Sequence, residues 1–235
     1  MQFKPNFDLL LDYTKTKKAE DFISNSAFVA VFTHNNKTLV YMCDLHRFNV
    51  SFNMIDMCFA DDFGIKPDVL LVEKENDFEK TFGWYTLQSN SMAYAAAVAD
   101  SNRVPVVFAD LSDNQAINIL QSGFPDVDIT DNVFHDILRA GPGNSKMCEY
   151  LNKIGRDRFM LENIAAALNK YDTVFAIFGI GHYEAQRLVL EDMMGEPEYI
   201  TQIKNMRNGL VDVKVNPIKL CDFKFKKYGG ENGKE

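Results

Sequence analysis

Long apolar runs, paired cysteines, a basic excess and a phosphate loop are all missing from this chain, and each absence removes a class of function. No stretch approaches the roughly 20 uninterrupted apolar residues that a membrane-spanning helix needs. The longest such run, TVFAIFGIG at residues 173–181, has the length of a strand. The first apolar segment, FDLLLDY, is broken by acids well short of a signal-peptide core. These features predict a cytoplasmic chain with no membrane span. The four cysteines, Cys43, Cys58, Cys148 and Cys221, contain no CxxC pair, so neither a zinc knuckle nor a disulfide framework is signalled and a reducing compartment is expected. Cys43 reads as a packed thiol, since no helix N-terminus follows it to activate a nucleophile. A formal charge of -8 and a pI near 5.1 argue against nucleic acid as a partner, because phosphate backbones select a basic footprint. No GxxxxGK loop occurs, and GIGHYEA has one glycine fewer than a dinucleotide fingerprint needs, so nucleotide binding is not expected.

Internal repeats and low-complexity linkers are also lacking. The 235 residues, 46% of them hydrophobic and 25% charged, fit one globular domain. We take residues 1–225 as a single α/β domain and the polar tail 226–235 as disordered.

Periodicity gives the order of elements. An amphipathic helix is expected through NFDLLLDYTKTKKAEDFIS. A hairpin follows, with AFVAVFTH and KTLVYMCD joined by asparagines that tolerate positive φ. VSFNMIDMCFADDFG reads as a helix stopped by Gly64, and KPDVLLVEKE as a short buried strand. SNSMAYAAAVADSN is helical and VPVVFAD another strand. Residues 112–170 are mostly helical. SKMCEYLNKIGRDRFMLENIAAALNKY reads as one helix, straight or slightly bent at Gly155, where a lone glycine costs about 1 kcal/mol against alanine. A strand, a glycine turn and a helix then run through DTVFAIFGIGHYEAQRLVLEDMMGEP, and PEYI supplies a further short strand. The expected fold is a three-layer α/β architecture: a largely parallel central sheet, helices on both faces and an N-terminal β-hairpin.

In such sheets ligands bind outside the carboxyl ends of the strands. Those ends carry Asp44 and His46, Glu73 and Glu75, Asp110, and His182. An imidazole there is a ligand, a general base or a plain strand-end cap. Strand alternation would put Glu73 and Glu75 on one face, as site carboxylates or as solvated charge. The two glycines before His182 would let the backbone turn sharply and bring the imidazole to the rim. On a helix Arg156, Met160 and Asn163 share one face, so an inward Arg156 would reach the same crevice, whereas an outward one would make an ordinary surface salt bridge.

RDRFMLENI, the strand TVFAIFG and GIGH resemble the helix, strand and histidine arrangement of the erythromycin esterase, ChaN-like and TraB/Tiki superfamily. LVYMCDLH with its helix, PDVLLVEKE and VPVVFAD are similar to the superfamily's preceding strands in the same order, over residues 38 to about 200. Cys43 stands where the superfamily's GxxH motif has glycine, and the long helical insertions of macrolide esterases are missing. The resemblance implies that His46, Glu73, Arg156 and His182 are catalytic; Asp110 and Glu75 at the strand ends and Asn163 on the helix face of Arg156 are expected to line the binding site. It implies hydrolysis of an ester or amide bond in a small molecule or peptide. Water would be activated either at a divalent metal ion (Mn, Co or Zn) held by His46, His182 and Glu73, or without metal, with His46 and Glu73 as base and Arg156 and His182 stabilising the oxyanion. The alternative it implies is a haem- or small-ligand-binding module without catalytic activity.

Overall fold

A computed structural model describes residues 2–13, 28–44, 48–60, 63–75, 91–200 and 220 of the chain. Over its described residues the expected N-terminal helix is not formed: a 3-10 turn, Phe7–Leu9, ends at an extended Leu10 with ψ 124°, and residues 14–27 and the polar tail lie outside the described residues.

The hairpin pairs β1 (Phe28–His34) with β2 (Lys37–Asp44) in antiparallel register from Phe28 opposite Cys43 to His34 opposite Lys37. Asn35 and Asn36 have φ of 47° and 64°, the two left-handed residues of a type I′ turn, whose twist matches the strands it joins. Then come α1 (Phe48–Phe59), β3 (Val69–Glu75), α2 (Ser91–Ser101) and β4 (Val106–Asp110). Next are α3 (Asp113–Gly123), α4 (Asp131–Ala140), α5 (Lys146–Tyr150) and α6 (Asp157–Lys170). β5 (Thr173–Gly179), α7 (Ile180–Met194) and β6 (Glu198–Ile200) follow. Gly195, at φ 85°, caps α7 as the sequence predicts, whereas α1 ends at Phe59, five residues before Gly64, which keeps a positive φ of 71°.

The six strands order β4-β3-β5-β2-β1-β6. β4, β3, β5 and β2 are parallel, and β1 is antiparallel to both of its neighbours. Alternate side chains face opposite layers. Leu39, Tyr41, Leu71, Val107, Ala176 and Phe178 pack under α6 and α7 with Ile164, Leu168 and Val189. Val40, Met42, Leu70, Phe108, Phe175 and Ile177 pack under α1 and α2 with Met54, Ile55 and Ala96. Full burial of each large aliphatic or aromatic side chain contributes about 1.5–3 kcal/mol, which is why both strand faces read as apolar. A satellite cluster joins α3, α4 and α5 through Leu111, Ile119, Phe134 and Leu151.

This layering locates the crevice. The helix that follows β3 covers one face and the helix that follows β5 covers the other. Adjacent parallel strands whose connections leave toward opposite faces open a crevice at their carboxyl ends. Among the described residues no helix is long and apolar enough to cross a membrane.

Candidate functional site

The chain from Lys146 to Lys170 is continuous, but between α5 and α6 the six residues Leu151–Arg156 form a π-helical turn. It closes with the Asp157 N–H donating to the Asn152 carbonyl, five residues back. Such turns carry one residue more than an α-turn and recur at functional sites. Gly155 shows why the break falls here: a Cβ at this position would stand 2.9 Å from Leu111 Cδ1 and 3.0 Å from Ile119 Cδ1. The wider turn lets the consecutive residues Arg156 and Asp157 both reach inward.

Arg156 makes a fork on two carboxylates. Its Nε donates to Asp110 Oδ1 at 3.0 Å, and its Nη2 donates to Asp110 Oδ2 at 2.6 Å and to Glu73 Oε1 at 2.8 Å. Nη1 donates to Asn152 Oδ1 at 3.1 Å. A guanidinium has five N–H bonds, so one of the two Nη1 hydrogens has no protein acceptor among the described residues. Burial opposes the charge, but Asp110 and Glu73 outweigh it and hold the guanidinium well above its ordinary range.

Glu73 reaches this position from the end of β3, where the pairing with β4 slips: Val72 is opposite Phe108 but Glu75 is opposite Asp110. The extra residue is a bulge, which breaks the strict alternation expected for Glu73 and Glu75 and re-aims the strand end. Glu73 Oε2 accepts the Gly179 N–H at 2.6 Å, which places the carboxylate at the N-terminus of α7, the favoured end for an anion. Burial would raise its pKa, yet His182, Arg156 and the Gly179 N–H together hold it far below the usual carboxylate range.

His182 is buried in the first turn of α7. Neither Gly179 nor Gly181 needs a left-handed conformation; Gly179, at φ -59° and ψ 145°, caps the helix, so the turn is sharp without the special φ expected of it. The imidazole Nε2 lies 3.3 Å from Glu73 Oε1 and Nδ1 lies 2.8 Å from Asp157 Oδ1. Desolvation works against the imidazolium, but the two carboxylates prevail and raise its pKa to about 10. Asp157, with no exposed surface, also accepts from Tyr13 Oη at 3.0 Å and Gln186 Nε2 at 2.8 Å. Gln186 in turn accepts from Tyr41 Oη at 3.1 Å. A buried carboxylate is tolerable only with such partners.

A cavity of about 260 Å³ opens on this network, lined by Tyr13, Asp44, Glu73, Asn152, Arg156 and His182 among others. That is near the small end of ligand pockets, about 300–1,000 Å³. Asp44, at the end of β2, is fixed from the opposite layer by hydrogen bonds from Ser51 of α1 and Ser91 of α2.

Glu73, Arg156, His182 and Asp110 thus come together as expected. Asn163 does not join them: it is buried in α6, its amide donates to the Phe159 carbonyl at 3.0 Å, and it is not part of the cavity wall. His46 and the side chain of Glu75 lie outside the described residues. Asp44 stands at a strand end, as the sequence indicates, whereas the sequence reading gives no site role to Tyr13, Asn152, Asp157 or Gln186. RDR carried a signal for Asp157, an acid between two arginines in a buried helix, whereas Tyr13 carried none. Cys43 is buried, and burial pushes its thiol well above the ordinary range, so it behaves as a packed side chain.

A metal centre is implied only by the resemblance, and His46, one of its three ligands, lies outside the described residues. No group of three His, Cys, Asp or Glu among them is arranged to hold a metal ion. Both imidazole nitrogens of His182 face carboxylates, Glu73 Oε1 faces Arg156 and His182, and Glu73 Oε2 accepts the Gly179 N–H. No family model, no curated protein and no solved structure matches the chain. The site's own geometry therefore carries the functional reading.

Proposed function

We propose that this cavity hydrolyses an ester or amide bond in a small molecule or a peptide side chain, without a step through a metal. The observation that carries the reading is Arg156: a cavity-wall guanidinium held by two carboxylates, with one Nη1 hydrogen uncommitted among the described residues. Beside it stands an imidazolium clamped between Glu73 and Asp157. The uncommitted Arg156 N–H is a donor already oriented at a strand-end crevice, which is what an acyl-transfer oxyanion needs, because such a donor costs no reorganisation when charge develops. The resemblance to the erythromycin esterase, ChaN-like and TraB/Tiki superfamily points the same way.

Glu73 is too weak a base for the water, since its two oxygens are bonded and its charge is so well stabilised. In this proposal the base is His46, which follows the wall residue Asp44 by two positions. His46 takes a proton from water as the oxygen attacks the acyl carbon. Arg156 donates its uncommitted Nη1–H to the resulting oxyanion, while His182 holds Glu73 and Asp157 in place, until the alcohol or amine leaves with the proton from His46.

The test is a panel of short-chain acyl esters and amides, run before and after chelation. The expected result is turnover of at least one substrate, unaffected by chelator, with Arg156→Ala, His182→Gln and His46→Ala each lowering kcat about 10²–10³-fold. Turnover that survives Arg156→Ala undiminished, or an inactive wild-type protein across the whole panel, sinks the proposal.

A further inference from the structure

Residues 2–13 belong to no strand end, yet they reach the cavity. They are tied down at several points. The Phe3 N–H donates to Asn169 Oδ1 at 2.8 Å, and Asn169 Nδ2 donates to the Phe3 carbonyl at 2.9 Å. The Arg158 guanidinium lies 5.0 Å over the Phe7 ring. The Leu11 N–H donates to the Ala185 carbonyl at 3.1 Å, and Asp12 pairs with Lys153 of the π turn.

The segment ends on Tyr13. Its ring meets His182 edge-on, centroids 6.1 Å apart. Its hydroxyl stands 2.8 Å from His182 Nδ1 and 3.0 Å from Asp157 Oδ2, while Nδ1 is also 2.8 Å from Asp157 Oδ1. These contacts close a ring of hydrogen bonds: the phenol donates to Asp157, and the Nδ1–H is shared between Asp157 and the phenol oxygen. Burial, then the charge of Asp157, keeps the phenol neutral well past the usual tyrosine range, so it remains a donor. Partners of this kind fix the plane of a functional imidazole.

We propose that Tyr13 is a positioning residue for His182, delivered by residues 2–13, and that the imidazole keeps its working orientation only while this segment is docked. The catalytic consequence rests on the hydrolytic reading above; the orientation of the ring does not. The charged and titratable groups facing His182 are Glu73 from β3, Arg156 from the π turn, Asp157 from α6 and Tyr13 itself.

The experiment follows the His182 ring by NMR in the full chain labelled with ¹⁵N-histidine. Tyr13→Phe keeps the ring and removes only the hydroxyl. Leu11→Pro removes the N–H that binds Ala185 and leaves Tyr13 untouched; Leu10 is already extended, at ψ 124°, as a residue before proline must be. Both variants should move the His182 Nδ1 resonance, since both remove the geometry that holds the ring. In Tyr13→Phe, kcat on the best ester should fall about 10-fold with KM unchanged. A Tyr13→Phe protein whose Nδ1 resonance matches wild type overturns the proposal, and if that variant does not fold, the same criterion applies to Leu11→Pro. Should the wild-type protein hydrolyse nothing, the hydrolase reading falls and the resonances alone decide the role of Tyr13.

Discussion

Arg156 and Asp157 are neighbours in sequence but serve opposite ends of one network: Arg156 binds Asp110 and Glu73, and Asp157 binds His182. The π turn that ends on Arg156 is what lets both point inward. Glu73 joins the two halves, because its Oε1 faces both Arg156 and His182.

Removing a charge from this network leaves its partners buried and uncompensated. Arg156→Ala should destabilise the fold by about 3–5 kcal/mol, the cost of breaking a buried ion pair from one side. Arg156→Lys keeps the charge but cannot reproduce the fork on Asp110, and should cost about 1–3 kcal/mol. Urea unfolding of both variants checks the order; a lysine variant as unstable as alanine would mean that charge is not what matters.

His182 makes stability depend on alkaline pH. Its folded pKa of about 10 lies above the ordinary 6.5, so its contribution is complete below about 6.5 and is lost as pH rises through about 10. His182→Gln should remove this alkaline slope. Glu73 acts in the opposite sense: its folded pKa is depressed, so its contribution is present above the ordinary carboxylate range and disappears as pH falls well below it. Thermal melts of wild type, His182→Gln and Glu73→Gln across the pH range separate the two, and equal alkaline slopes in wild type and His182→Gln would contradict the assignment.

The hairpin turn offers a test remote from the site. Asn36 has φ 64°, a conformation that glycine adopts without strain. Asn36→Gly completes the Asn-Gly pair favoured in type I′ turns and should raise Tm by about 2–4 °C, roughly 1 kcal/mol in a chain of this size. An unchanged or lower Tm counts against the turn.

Strands, hairpin and helix stops were legible because they depend on local rules: asparagines at positive φ, apolar runs ending on acids, glycines after helices. Glu73, Asp110 and His182 were legible as a group because parallel strands bring their carboxyl ends together, whereas Arg156 came from the helix motif of the resemblance. The rest depended on departures from regular geometry. The bulge at the end of β3 and the π turn before α6 each insert one residue and shift the register that a periodic reading assumes. Asn163, placed beside Arg156 by α-helical spacing, instead bonds its own helix. Tyr13 reaches His182 across 169 positions of sequence, a separation that no local pattern signals.

The proposed chemistry of the cavity depends on His182 being cationic at neutral pH, held between Glu73 and Asp157. A ¹⁵N titration of its imidazole in the wild-type protein measures this directly. A midpoint near 10, with both ring nitrogens protonated at pH 7, is the predicted result; a midpoint near 6.5 would contradict it.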